Sequence, residues 1–149
     1  MSTRHAASRI GALTLALTTL ATPAGAAGRT ISVRDEGRLH FVHSSGNRII
    51  DEGHATGSLP GSVRVAFTYD GEPTVTATFT IYGHGWSING HGSGHMSHPN
   101  STSPSFHGTL TLNGGSGRYA HAHGSGSMYG VYYRRSYNLT VQTIGSLHY

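Results

Sequence analysis

An all-β chain folded as a single antiparallel barrel of about eight strands is the expectation, and three observations lead to it. No stretch beyond the first 26 residues sustains a helical period, and Gly, Ser and Thr dominate. Short apolar alternations recur instead, separated by turn residues, as antiparallel strands require. A pattern of small residue, His, small residue, hydroxyl and Gly also returns three times, at Gly53–Gly57, Gly90–Gly94 and Ala122–Gly126. Its recurrence at about the length of two strands with their turns suggests equivalent strands in a meander. A meander of that many short strands leaves edges that closure into a barrel removes.

The chain has 149 residues, and its start reads as a cleavable leader. Arg4 and Arg9 make a basic n-region, Ile10 to Leu20 is apolar but too short to span a bilayer, and Ala24-Gly25-Ala26 has the small-x-small form of a cleavage site. Residues 1–26 are therefore expected to be a signal peptide and 27–149 the barrel domain, exported to the periplasm or the medium. No cysteine is present, which removes disulfides and thiolate metal sites. All ten basic residues are arginine, and all six acids fall between Asp35 and Glu72. Only Arg118, Arg134 and Arg135 carry fixed charge after that, so no basic stripe for nucleic acid exists. Twelve histidines, all but His5 beyond the leader, are the compositional anomaly.

Taken in order, Ile31 and Val33 begin a first strand that Asp35-Glu36-Gly37 is expected to interrupt. Leu39 to Val42 and Ile49-Ile50 are weaker strand signals on either side of a Ser44–Asn47 turn. Gly61 to Tyr69 alternates cleanly, with Val63, Val65, Phe67 and Tyr69 on one face. Asp70-Gly71 signals a hairpin into a strand where Val75, Ala77, Phe79 and Ile81 alternate with threonines. Tyr82 to Met96 keeps an alternating rhythm despite its glycines and reads as a curved strand or loose hairpin, and Ser97 to Ser105 as a loop. Phe106 to Asn113 is another strand, Gly114 to Gly117 a tight glycine turn, and Ala120 to Ser127 a strand with small residues on one face and His121 and His123 on the other. Tyr129 to Tyr133 and Tyr137 to Leu147 supply the last strands.

The run Gly114 to Gly124, GGSGRYAHAHG, resembles the GGTGxFxxAxG signature of dirigent proteins and allene oxide cyclases. It is closer still to the GGTGRYAGAxG of small exported bacterial proteins with the same expected barrel. Phe106-His107-Gly108-Thr109 and the terminal Leu147-His148-Tyr149 add to the likeness, which covers roughly residues 105–149 well and the rest in general character. The resemblance implies a dirigent-like or allene-oxide-cyclase-like barrel. It does not carry an activity, because plant members use acids in the barrel cavity and this chain has none after Glu72.

The chemistry remains open between classes. The first expectation is a non-catalytic barrel of the bacterial envelope or medium, structural or holding a small apolar ligand, with no cofactor and no stable membrane insertion. Phe67, Phe79 and Leu110 would line the interior, beside Val65, Ile81, Leu112, Leu139 and Val141, or simply fill it. Trp86, with Tyr82 and Tyr119, would either rim a mouth or pack beside a glycine bend. The alternative is a Zn, Cu or Ni protein using His121 and His123, set roughly 6–7 Å apart on one strand face, with His91, His95 and His98. An isomerase or cyclase acting on an apolar substrate is third. Asp35-Glu36, Asp51-Glu52 and Asp70/Glu72 read as turns and solvated edges rather than an acid–base couple. Hydrolase chemistry lacks a Gly-x-Ser-x-Gly elbow, and an outer-membrane barrel lacks a continuous lipid-facing band over Gly83–Ser97.

Overall fold

A computed structural model describes residues 28–69 and 73–149. The expected leader at 1–26 and the expected Asp70-Gly71 turn lie outside the described residues. Eight strands follow one another around a closed antiparallel barrel: β1 (Thr30–Ser45), β2 (Arg48–Gly57), β3 (Gly61–Tyr69), β4 (Thr74–Gly83), β5 (Trp86–Ser97), β6 (Ser105–Ser116), β7 (His123–Tyr133) and β8 (Asn138–His148). A single 3-10 turn, Gly117–Tyr119, sits between β6 and β7. β1 and β8 pair from Thr30↔His148 to His40↔Asn138. That pairing gives every edge backbone group a partner strand, which a cysteine-free chain needs for order.

The period-2 pattern decides which side chains enter the barrel. Val63, Val65 and Phe67 of β3 stand opposite Ile81, Phe79 and Ala77 of β4. Inward glycines on β5 then face them: Phe79 pairs with Gly90 and Ala77 with Gly92. Across β6 and β7, Phe106 pairs with Gly130, and a Cβ built on Gly130 would stand 2.2 Å from the Phe106 ring. Large side chains from one wall thus fill the space left by hydrogen on the next, and the interior packs without widening the barrel.

Several expectations are corrected here. Asp35-Glu36-Gly37 does not interrupt the first strand; β1 runs 16 residues through it, because β2 and β8 bond it on both sides. The weak Ile49-Ile50 signal belongs to a ten-residue strand. The expected glycine turn is shifted: Gly114 to Ser116 complete β6, and only Gly117 (φ +60°) enters the reversal. Ala120, His121 and Ala122 lie in the connection, and β7 begins at His123. His121 and His123 therefore do not share a strand face. The three repeated His-centred patterns lie on β2, β5 and β7, of which only β5 and β7 run the same way.

The two barrel ends differ. At one, the β2–β3, β4–β5 and β6–β7 connections meet the start of β1 and the end of β8, and Leu59, Ile88, Tyr119, Ala122 and Leu147 are buried there. Trp86 and Tyr149 pack edge-on against Tyr119 at 5.0 and 4.7 Å between ring centres. The Arg118 guanidinium lies over both Trp86 and Tyr119, at 5.5 and 4.8 Å. Arg29 and Tyr149 exchange two backbone hydrogen bonds at 2.7 and 2.9 Å. This end is stoppered. The opposite end carries the 46–47 turn, the end of β3 and the start of β4, the 98–104 loop and the 134–137 turn.

Candidate functional site

Two apolar chambers occupy the barrel interior. The inner one, about 90 Å³, is walled by residues that include Leu59, Val63, Phe79, Leu110 and Met128. The outer one, about 160 Å³, reaches the surface at exposed Tyr69 and Arg134, and Ile49, Met96, Tyr132 and Leu139 wall it. Phe67 and Phe106 line both, their rings in edge contact at 6.4 Å, and form the partition.

Each chamber receives one carboxyl. Asp35 and Asp51 lie on inward positions of β1 and β2 and are 8% and 1% exposed, whereas their neighbours Glu36 and Glu52 turn outward to Arg38 (2.9 Å) and Arg64 (3.0 Å). The expectation that these pairs were turns and solvated edges is therefore corrected: each pair straddles a strand, and alternation sends its first member inside. Sequence reasoning missed both inward acids. The signal was the parity of Ile49, Asp51, Gly53 and Ala55, a face of small and apolar residues with one acid in it.

The two acids have different surroundings. Asp35 Oδ1 accepts the backbone N–H of Leu59 at 2.8 Å, which ties the β2–β3 connection down and seats Leu59 in the stopper. Burial raises the Asp35 pKa, and the Leu59 and Ser58 backbone N–H groups oppose that rise. Asp51 has no such support: its Oδ1 is buried with no hydrogen-bond partner among the described residues. Burial pushes its pKa from 3.8 up to about 6, against a smaller lowering by the nearby His40. Tyr132 lines the same chamber, and burial first, then the Asp51 charge, raises its phenol.

The 98–104 loop crosses toward β7 and narrows the outer chamber. Tyr132 N–H donates to Pro104 O and Arg134 N–H to Thr102 O, both at 3.0 Å. The Arg134 guanidinium donates to Ser101 O (3.0 Å) and Pro99 O (2.5 Å). Pro104 is thereby fully buried against the chamber.

Of the sequence-derived site residues, Phe67, Phe79 and Leu110 converge on the interior. Trp86 and Tyr119 do not rim the opening; they are packed in the stopper at the far end, with Trp86 against Gly83. The histidines remain apart. His91 and His95 point outward from β5, His95 beside His107 at 6.2 Å between ring centres. His98 lies in the 98–104 loop, His121 in the β6–β7 connection, and His123 stacks on His148 at 5.2 Å. Among the described residues no three His, Asp or Glu side chains are grouped to hold a metal ion.

The fold and interior define a class: a closed, eight-stranded antiparallel barrel with one stoppered end and an apolar interior carrying buried carboxyls. No protein-family model, curated protein or solved structure matches the chain.

Proposed function

We propose that the chain is an exported, dirigent-like or allene-oxide-cyclase-like barrel that binds a small apolar molecule bearing one hydrogen-bond donor. The observation that carries this reading is the unpartnered, buried Oδ1 of Asp51 in an apolar chamber that reaches the surface. Leaving a buried acceptor without a partner costs roughly 1–3 kcal/mol, and a ligand donor at that oxygen recovers it. Above its pKa the carboxylate only accepts, so at neutral pH the matching group is a hydroxyl or ring N–H. The chamber, about 160 Å³, has the volume for one ring; apolar cavities of about 150 Å³ hold benzene.

Phenol and toluene form a test pair of nearly equal shape, of which only phenol has a donor. Titration calorimetry at pH 7.5 is expected to find phenol the tighter, with the preference gone in Asp51→Leu. Equal affinities in the native protein, or an unchanged preference in the variant, would refute the reading.

The same carboxyl supports a second reading, an isomerase or cyclase acting on an apolar substrate. An acid with a pKa of about 6, beside the Tyr132 phenol, exchanges its proton near neutral pH. In that case Asp51→Asn would keep ligand affinity and abolish turnover.

A further inference from the structure

The outer chamber is lined by two opposite charges, and a ligand donor at Asp51 answers only one of them. Asp51 is 1% exposed, whereas Arg134 is exposed and lines the same chamber where it reaches the surface. Arg134 is also held in place. Its guanidinium donates from Nε to Ser101 O (3.0 Å) and from Nη2 to Pro99 O (2.5 Å), so the 98–104 loop fixes its position. Those contacts use two of its five N–H donors, and neutral carbonyl acceptors leave its charge uncancelled. Among the described residues no carboxylate lies within ion-pair distance of it, unlike Arg38 and Arg64, which pair with Glu36 and Glu52. Tyr132 is in range of both charges: it lines the chamber, and burial first and then the Asp51 charge raise its phenol while Arg134 lowers it. The rest of the wall is apolar, from Ile49, Val75, Met96 and Leu139, and the Phe67–Phe106 partition closes it inward.

We propose that the ligand of this chamber is a small hydroxy acid, one apolar ring with a hydroxyl at one end and a carboxylate at the other, and that Arg134 selects the acid. The inference rests on the reading that a hydroxyl meets Asp51, and it adds the second end of the molecule. A planar carboxylate matches the guanidinium fork, and charge-assisted bonds of this kind are about twice as strong as neutral ones. The Asp51 carboxylate repels a second anion, so the two charges impose one orientation, hydroxyl inward and carboxylate at the mouth. The protonated Tyr132 phenol is a further donor in the same chamber. A chamber of about 160 Å³ holds the ring alone, which leaves the acid at the opening. There the carboxylate keeps part of its hydration, and its transfer from water costs little.

The test compares 4-hydroxybenzoate with 4-hydroxybenzamide, which share a shape and a hydroxyl and differ in charge. Titration calorimetry at pH 7.5 should find the acid roughly tenfold tighter than the amide in the native protein. Arg134→Gln should bring the two affinities within about twofold of each other, and Arg134→Lys, which keeps a point charge without the fork, should retain part of the preference. Acid and amide are compared within each protein, so a looser 98–104 loop in a variant weakens both alike and leaves their ratio readable. Equal affinities or no measurable binding in the native protein, or an unchanged ratio in Arg134→Gln, would overturn the proposal. Phenol and toluene separate its failure from that of the Asp51 reading. If phenol outbinds toluene through Asp51 while acid and amide bind alike, only the carboxylate end falls. If phenol and toluene bind alike, the Asp51 reading falls and the hydroxy acid with it.

Discussion

Asp51 is the residue at which stability and the proposed function pull apart. Its folded pKa of about 6 lies above the ordinary 3.8, so between those values the folded protein binds the proton more tightly than the unfolded chain. Its contribution is therefore intact below about pH 4, is lost as pH rises toward 6, and stays lost above. A rise of about two units corresponds to roughly 3 kcal/mol. Asp51→Asn should remove this slope and raise the melting temperature at pH 7.5 while leaving it nearly unchanged at pH 4, as calorimetry across that range would show. Asp35 behaves differently. Its carboxylate holds the Leu59 N–H, so Asp35→Ala should loosen the β2–β3 connection and lower stability by about 1–3 kcal/mol, measured by urea unfolding.

Among the elements, β5 and β7 show how a glycine-rich strand can be strongly specified. Their inward hydrogens are the space that Phe79, Phe106 and Met128 occupy. Gly130→Ala would drive a methyl into the Phe106 ring, where the built Cβ stands 2.2 Å away. The expected cost is about 1–3 kcal/mol of overpacking, and Gly130→Ala combined with Phe106→Leu should recover part of it in a double-mutant cycle. On β7 the backbone of β8 comes equally close: a Cβ on Gly124 would lie 2.1 Å from Ser146 O. The small face that sequence alternation assigns to this stretch begins at Gly124, because the connection between β6 and β7 absorbs Ala120 and Ala122.

At the level of the whole molecule, an interior divided by Phe67 and Phe106 sets the size of what can enter. Phe106→Ala should cost about 3–5 kcal/mol and join the two chambers. 2-Naphthol, too large for the outer chamber alone, should then raise the melting temperature of the variant more than that of the native protein. An equal rise in both would show that the partition already moves aside.

Much of this was legible in the residues themselves. The runs around Val63–Phe67 and Val75–Ile81 specify strands and their buried faces, because a period of two is a local property of the chain. The Phe67, Phe79 and Leu110 part of the interior follows from the same alternation. What only tertiary structure decided is the depth and company of each side chain. Asp35-Glu36 and Asp51-Glu52 look alike as pairs, yet one carboxyl bonds a loop and the other is left bare, since their partners come from residues up to 24 positions away. Trp86, Tyr119 and Tyr149 become a stopper through the ring closure of β1 onto β8. A sequence records which face a residue takes. Which end of a barrel it guards depends on where every other strand turns.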